Sequence, residues 1–235
     1  ELDPEDPELY DYRADCYVDM EDYTSALKDF DKAIEVGPEN PIWYNNRADF
    51  YKDIELYDDA LQDYARALEV STDDWETARA LNNRAIIYQL EEKWELCIAE
   101  YSKSIEVYPA ALFYENRGRV YQIIKDYDNA ILDFTKAIEL DPENPELHYY
   151  RANCYIEMED YTSALKDLDK AIEVDPENPE WYNNRADFYE EHMDSYDDAL
   201  QDYARAIEIS TVDRQTTRAL NNRANIYWIE EKWEL

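Results

Sequence analysis

The sequence contains very little glycine and histidine. Only two of its 235 residues are glycine and two are histidine. This scarcity argues against phosphate-binding loops, dinucleotide-binding loops and tight β-hairpins, because all three need residues with positive φ. No apolar run approaches the roughly 18 residues of a membrane-spanning helix, so we expect no insertion into a membrane.

Positive charge is also scarce. The chain has 58 acidic residues against 23 basic ones, which gives a formal net charge of −35. Such a surface repels phosphate groups, so we expect no nucleic acid or anionic lipid as a partner. Basic peptides, cationic surfaces and divalent cations remain open. At 45% hydrophobic residues, the chain is expected to fold and not to remain a disordered acidic tail.

Internal repetition is the most informative feature of the sequence. The segment Tyr23–Asp29 returns unchanged at Tyr161–Asp167, and a shorter motif recurs about every 34 residues. Its first copy contains Tyr10, Ala14, Tyr17, Ala26, Phe30, Ala33 and Pro38. Apolar residues three and four apart predict amphipathic helices. Asn-Pro pairs predict the places where a helix begins, because asparagine caps a helix and proline suits its first turn.

This motif resembles the tetratricopeptide repeat, whose unit is a pair of antiparallel helices. The resemblance covers the whole chain. It implies an all-α fold, a right-handed α-solenoid of antiparallel helix pairs, as a single domain over residues 1–235. The predicted repeats, numbered one to seven, span residues 7–40, 41–77, 78–110, 111–144, 145–178, 179–216 and a truncated 217–235. Before repeats three and seven we expect long connections, through Trp75–Thr77 and Arg214–Thr216.

A longer period contains the short one. Repeats one to three are closely similar to repeats five to seven, so that Tyr23 corresponds to Tyr161 and Trp94 to Trp233. The true period is therefore a block of four repeats. Because both ends of the sequence fall within a repeat, we expect it to be part of a longer array of such blocks.

An arginine stands at the seventh position of every repeat, where the family usually has leucine. These residues are Arg13, Arg47, Arg84, Arg117, Arg151, Arg185 and Arg223. An acidic residue occupies position 23 of each complete repeat: Asp29, Asp63, Glu100, Asp133, Asp167 and Asp202. A buried arginine needs a partner, and its guanidinium suits a two-bond pair with a carboxylate. We predict a structural ladder of arginine–carboxylate pairs, with a solvated charged face as the alternative.

The resemblance also implies that ligands contact the inner surface of the first helices. The corresponding candidates in this sequence are mostly acidic: Glu8, Asp11, Asp15, Asp19, Asn45, Asp49, Asn82, Glu115, Arg119, Asn183, Asp187, Glu190 and Glu191. We therefore expect an acidic concave groove that holds a basic or polar protein or peptide. Capture of a C-terminal carboxylate is disfavoured, because the lysines of the family's carboxylate clamp are missing.

No catalytic, cofactor-binding or metal-binding constellation is visible. His148 and His192 are isolated and expected at the surface, and three separated cysteines have no metal-ligand spacing. We predict a non-enzymatic protein–protein interaction scaffold without a cofactor. The alternative is a structural repeat protein whose near-identical blocks self-associate into a long superhelical rod or fibre. The compartment is open: the cytoplasm is usual for the family, and an extracellular fibre is also compatible.

Overall fold

The computed structural model describes residues 5–211 and 213–229. Within these ranges the protein is 82% helical and has no strand, so the predicted all-α fold is confirmed. The helices are α1 (Pro7–Asp19), α2 (Tyr23–Val36), α3 (Pro41–Asp53), α4 (Tyr57–Val70), α5 (Asp74–Leu90), α6 (Trp94–Val107), α7 (Ala111–Ile123), α8 (Tyr127–Leu140), α9 (Pro145–Glu157), α10 (Tyr161–Val174), α11 (Pro179–His192), α12 (Tyr196–Ile209) and α13 (Asp213–Ile229). None of the described helices is long and apolar enough to span a membrane.

The chain divides into two compact bodies, an N-terminal body of Glu1–Val120 and a C-terminal body of Tyr121–Leu235. In the N-terminal body, α1 and α2, α3 and α4, and α5 and α6 form helix pairs, and each pair packs on the next. In the C-terminal body, α9 and α10 and α11 and α12 pair in the same way, and α13 packs on α12. Both bodies thus contain the stacked two-helix repeats that the sequence pattern predicts.

Small and aromatic residues share the core of each pair. Ala48 of α3 and Ala60 of α4 are completely buried where the two helices approach. Tyr64 is also fully buried and fills the space beside them. In the C-terminal body Ala186 and Tyr203 pack together in the same way. Alanine allows two backbones to come close, and the large rings restore the packing density that a folded interior requires.

The starts of the first helices follow the expected Asn-Pro chemistry. Asn144 accepts a hydrogen bond from the backbone N–H of Glu146 at 3.0 Å, and Pro145 occupies the first turn. Asn178 and Pro179 begin α11 in the same way. The cap satisfies a backbone donor that has no partner inside the helix, and proline lacks a donor there.

The turns within the helix pairs differ from the sequence prediction. Scarce glycine argued against turns with positive φ, but among the described residues six that are not glycine have a positive φ: Glu21, Glu55, Glu92, Lys125, Glu159 and Asp194. Each lies two residues after the end of a first helix. A single left-handed residue costs an L-amino acid about 1–2 kcal/mol. The packing of the helix pair that the turn closes outweighs this cost, so the prediction from glycine content was wrong.

Two predicted connections are also helical. Residues 75–77 form the first turn of α5, and residues 214–216 form the first turn of α13. Asp73 caps α5 by accepting the backbone N–H of Glu76 at 2.9 Å. These two first helices are therefore one turn longer than the others, and the expectation of long connections there was wrong.

Candidate functional site

Four of the seventh-position arginines each hold the acidic residue of their own repeat through two hydrogen bonds. Arg47 donates from Nε and Nη2 to the two carboxylate oxygens of Asp63, at 2.7 Å each. Arg185 makes the same contacts with Asp202 at the same distances. The other two pairs are Arg13–Asp29 and Arg151–Asp167. The structure thus brings together the first and second helices of these repeats through a charge-assisted pair.

The remaining arginines have different surroundings. Arg84 Nε lies 3.4 Å from Glu100 Oε2, a longer separation than in the four close pairs. Asp133, the acidic residue of repeat four, is buried with 5% of its surface exposed. Arg223 donates to the Tyr227 hydroxyl at 3.3 Å. Its buried Nε has no hydrogen-bond acceptor among the residues that the structure describes.

A second set of contacts joins these arginines to the preceding repeat. Arg47 Nη1 donates to Asp31 at 2.5 Å, and Arg185 Nη1 donates to Asp169 at 2.6 Å. A hydroxyl takes the same place in the pairs Arg117–Ser102 and Arg151–Thr135, both at 2.8 Å. The sequence reasoning missed these contacts, although the acid or hydroxyl two residues after position 23 was a visible signal. Each of these guanidinium groups therefore contacts the preceding repeat.

A half-buried aspartate, Asp49, organises the first helices of the N-terminal body. Arg79 Nη2 donates to Asp49 Oδ2 at 2.6 Å, and Asn83 Nδ2 donates to Asp49 Oδ1 at 2.7 Å. The Tyr64 hydroxyl also donates to Oδ1. Burial, followed by the charge of Asp49, raises the pKa of Tyr64 well above its usual range. Asp49 is therefore bonded and charge-balanced within the protein and is not a free groove acid.

The C-terminal body repeats this arrangement around Asp187. Arg218 donates to Oδ2, Asn222 donates to Oδ1 at 2.9 Å, and the Tyr203 hydroxyl donates to Oδ1 at 2.5 Å. The residue types match those around the first aspartate one for one. The recurring arginine at the second position of repeats three and seven was the signal that sequence reasoning did not use. Asp187 is likewise bonded internally.

Three asparagines predicted to face the groove are buried. Asn45 is fully buried and donates from Nδ2 to the carbonyl oxygen and side chain of Glu76, at 3.2 and 2.8 Å. Asn183 makes the equivalent contacts with Gln215 at 3.2 and 3.0 Å. Asn82 is also buried, with 5% of its surface exposed. Asn45 and Asn183 bind the next first helix, and since both are fully buried neither is accessible to a ligand in the groove.

Asp11, another predicted groove residue, is buried with 6% of its surface exposed. Its Oδ2 accepts a hydrogen bond from Asn46 at 2.8 Å. Its Oδ1 has no hydrogen-bond partner among the described residues. Burial is the main cause that raises the pKa of Asp11 to about 6. This carboxyl belongs to the packing between α1 and α3 and not to an open surface.

The other predicted groove residues are exposed or half-buried. They are Glu8, Asp15, Asp19, Glu115, Arg119, Glu190 and Glu191. Partial burial and the nearby charge of Asp19 raise the pKa of Asp15. Partial burial also raises the pKa of Glu190, and Asp187 and Glu191 add like charge. On both α1 and α11, crowded carboxylates thus make the local potential negative.

Beside these carboxylates lies a cleft in each body. The N-terminal cleft has a volume of about 270 Å³ and is lined by Asp15, Val18, Phe30, Asn46, Asp49, Phe50, Asp53 and Arg79. The C-terminal cleft has a volume of about 250 Å³, and its lining includes Asn153, Ile156, Leu168, Asn184, Asp187, Phe188, Glu191 and Arg218. Each residue of the first set has its counterpart, in order, in the second. The same cleft therefore occurs once in each four-repeat block.

The two histidines are not both at the surface. His148 is buried with 5% of its surface exposed, and its Nδ1 lies 3.4 Å from Asp167 Oδ1. The prediction of a surface position was wrong, because His148 occupies the helix position that Tyr10 holds in repeat one, which faces the helix partner. His192 is half-buried.

Among the described residues, no group of three His, Cys, Asp or Glu side chains could hold a metal ion.

Comparison with known families assigns the repeat. Family models described as tetratricopeptide repeat match residues 7–40, 39–110, 125–188 and 168–209. The chain therefore belongs to the tetratricopeptide repeat family. No curated protein matches it at the level of sequence.

Solved structures show the same fold. YrrB, described as a TPR protein with an unusual peptide-binding site, superposes with a TM-score of 0.62 at 22% identity, covering 83% of this chain and 97% of YrrB. PilF of Pseudomonas aeruginosa has a TM-score of 0.68 at 17% identity, covering 92% of this chain and 97% of its own. Human IFIT1, solved as a dimer with PPP-AAAA, has a TM-score of 0.68 at 17% identity, covering 99% of this chain and 57% of IFIT1. At these identities the likeness concerns the fold alone.

Proposed function

We propose that the protein is a non-enzymatic interaction scaffold that binds basic side chains of a partner protein or peptide in its two clefts. Membership in the tetratricopeptide repeat family supports a protein-interaction role in general. The observation that carries the finer proposal is the recurrence of one cleft, built from matching residues, in both bodies. A single acidic depression would be unremarkable on a chain with a net charge of −35.

The chemistry of the clefts fits lysine or arginine. The N-terminal cleft is lined by Phe50 and by the carboxylates of Asp15 and Asp53. In the C-terminal cleft Phe188 and Glu191 take the places of Phe50 and Asp53, and the neutral Asn153 takes that of Asp15. A long basic side chain can lay its methylene stem on apolar surface while its charged end meets a carboxylate. Volumes of about 270 and 250 Å³ suit one side chain and not a folded element.

The two clefts differ in charge at two positions. Asp15 corresponds to the neutral Asn153, and Lys52 corresponds to Glu190, a change of two charge units that is the larger of the two. Lys52 Nζ lies 3.4 Å from Asp49 and 3.8 Å from Asp53, so part of the negative charge of the N-terminal cleft is already compensated. The counterpart of Lys52 is Glu190, which adds negative charge to the C-terminal edge. We therefore propose that the C-terminal cleft binds a cationic side chain more tightly.

The proposal is tested by fluorescence anisotropy with a labelled lysine-containing peptide and with a control peptide in which glutamate replaces lysine. We expect micromolar binding of the lysine peptide that weakens as salt is added, because exposed charges are screened. Glu191→Gln in the cleft should weaken binding severalfold. The matched control Asp58→Asn removes one exposed carboxylate from α4 and should have no effect. Equal losses in the two variants would indicate a diffuse charge effect, and absence of binding would reject the cleft assignment.

The near identity of the two aspartate-centred networks supports a second candidate, a structural rod. Copying a block with Asp49 and its partners intact, as around Asp187, preserves packing between helices independently of any ligand. Electron microscopy of the chain alone separates the two candidates. Regular filaments without a partner would favour the rod, and dispersed particles that bind the lysine peptide would favour the scaffold.

A further inference from the structure

The turns that lead into the first helices of the N-terminal body carry large apolar side chains at the surface. Trp75 and Tyr108 each have 42% of their surface exposed, and Leu112 has 48% exposed. Ile42, at the start of α3, is half-buried. We call these four residues the apolar edge. Exposed apolar side chains that lie close together mark an interaction surface, whereas scattered ones do not.

An open pocket adjoins this edge. Its volume is about 830 Å³, roughly three times that of either cleft. The turn before α3 contributes Pro38, Pro41 and Ile42 to its lining, and the turn before α5 contributes Asp73 and Trp75. A space of this size admits several residues of a chain segment and not one side chain alone.

The ring of Trp75 is held in place from behind. Phe113 stacks on it with the ring centroids 5.8 Å apart and an interplanar angle of 28°. Tyr108 meets it edge-on at 5.4 Å. Since the buried Phe113 covers one face of the indole, the other face is the one available to the pocket. A ring that is already fixed loses little conformational entropy when a ligand covers it.

The C-terminal body has charged residues at the equivalent positions. Ile42 corresponds to Glu180 and Trp75 to Arg214, and both of these charged residues are exposed. Each stands second in its helix, as Ile42 and Trp75 do in theirs. The helices can therefore begin without an apolar residue there, so formation of the helix does not explain the apolar edge.

A buried donor beside the pocket lacks an acceptor. Trp43 is 5% exposed, and its indole nitrogen has no hydrogen-bond partner among the described residues. A Cβ on Gly37, which lines the pocket, would lie 2.6 Å from that nitrogen. In the C-terminal body Asp175 stands in place of Gly37 and accepts from Trp181 at 3.4 Å. The lack of this internal acceptor favours a ligand that brings carbonyl oxygens to the pocket.

From these observations we propose that the pocket and the apolar edge bind an extended, proline-rich segment of a partner protein that also carries an arginine or lysine. The segment crosses the starts of α3, α5 and α7. Its apolar side chains pack on Ile42 and on the free face of Trp75. Its basic side chain meets Glu39 and Asp73, two exposed carboxylates of the pocket, through charge complementarity.

The spacing of the first helices suits a polyproline II segment. Neighbouring first helices touch, since Asn45 of α3 donates to Glu76 of α5 at 2.8 Å and Asn116 of α7 donates to Asn82 of α5 at 2.9 Å. Helices packed in this way lie about 8–10 Å apart. A polyproline II helix rises about 3.1 Å per residue with three residues per turn, which is about 9 Å per turn. Every third residue of the segment can thus meet the start of the next first helix.

Other backbone conformations suit this surface less well. Pro38 and Pro41 have no N–H, so the turn before α3 cannot form a regular ladder with an added β-strand. A helical ligand already uses its carbonyl groups in its own hydrogen bonds and brings no acceptor to the Trp43 indole. A polyproline II segment has no internal hydrogen bonds, so its carbonyl groups are free.

This surface is separate from the two clefts, because their linings share no residue with the pocket. The inference therefore does not depend on the proposed binding of basic side chains in the clefts.

Three labelled peptides test the inference on the whole chain by fluorescence anisotropy. The first consists of Pro-Leu-Pro triplets followed by one arginine. The second has alanine in place of every proline, which favours a helix, and the third has glutamate in place of the arginine. We expect micromolar binding of the first peptide. Binding of the alanine peptide should be about tenfold weaker because the extended conformation is no longer preformed, and the glutamate peptide should also bind more weakly.

Matched variants of the chain locate the contact. Trp75→Arg and Ile42→Glu install the residues that the C-terminal body has, so both proteins should fold, and circular dichroism checks this. Trp75→Arg should weaken binding of the first peptide by about tenfold or more, as expected for loss of an aromatic anchor, and Ile42→Glu should weaken it severalfold. Tyr12→Arg makes a similar change at a position of α1 that is 64% exposed and outside the pocket, and it should leave the affinity unchanged.

Four results would overturn the inference. The first is absence of binding, and the second is an alanine peptide that binds as tightly as the proline peptide. The third is binding that Glu191→Gln weakens and Trp75→Arg does not, which would place the peptide in the C-terminal cleft. The fourth is a dimer of the chain that Trp75→Arg dissociates and the peptide does not displace, which would assign the surface to a second copy.

Discussion

Replacing Asp11 by asparagine should stabilise the protein at neutral pH. The buried carboxyl has a pKa of about 6 against an ordinary value of 3.8, so its ionised form costs the folded state about 3 kcal/mol at neutral pH. Asparagine keeps an oxygen that can accept from Asn46. Its new amide hydrogens would lie near the unpartnered Oδ1 position, and an unsatisfied buried donor costs about 1–3 kcal/mol. The expected net gain at neutral pH is therefore about 1 kcal/mol.

The pH dependence gives the sharper test of Asp11→Asn. A carboxyl whose pKa is raised on folding contributes stability below its unfolded pKa, and this contribution is lost as the pH rises through about 6. The stability difference between variant and parent should therefore be larger at about pH 7.5 than at about pH 5. Urea unfolding at both pH values measures it. Asp19→Asn removes the same charge from an exposed site of α1 and serves as the control. A variant that is less stable than the parent at neutral pH, or a difference that grows on acidification, would refute the reasoning.

Two further predictions concern single side chains. Cys16 is exposed, whereas the other two thiols are buried with pKa values raised to about 12 by burial, so a thiol reagent should label one cysteine rapidly in the folded protein and three after denaturation. The Trp43 indole N–H is buried without an acceptor among the described residues, whereas the equivalent Trp181 donates to Asp175 at 3.4 Å. Gly37 stands at the position equivalent to Asp175, so Gly37→Asp should supply the acceptor and raise the free energy of unfolding by about 1 kcal/mol. A Cβ at this position would lie 2.6 Å from the indole nitrogen, so thermal unfolding that shows a lower midpoint would mean that the ring cannot shift.

The part of the site that sequence reasoning could foresee lies within single repeats. Arg47 and Asp63 stand on two helices joined by a short turn, so their relative place follows from helix periodicity alone. Contacts between repeats were harder to foresee. The internal pairing of Asp49 depends on Arg79, which belongs to the next first helix and reaches Asp49 through stacking that no local pattern describes. Asn45 was predicted to face the groove because its partner, Glu76, was expected to lie in a connection between helices. In the structure Glu76 lies in the first turn of α5, where Asn45 binds it.

We interpret the ladder of arginine–carboxylate pairs as a device that fixes how the helices of neighbouring repeats align, more than as a source of stability. Leucine at the seventh position would pack against many arrangements of apolar surface, whereas Arg47 is satisfied only when Asp63 of its own repeat and Asp31 of the preceding one are both in reach. Breaking one partner of a buried pair costs about 3–5 kcal/mol, while replacing both by apolar residues is often neutral. Arg47→Leu should therefore destabilise strongly in urea, and Arg47→Leu combined with Asp63→Leu should recover most of the loss. A double variant as unstable as the single one would show that the pair contributes stability itself.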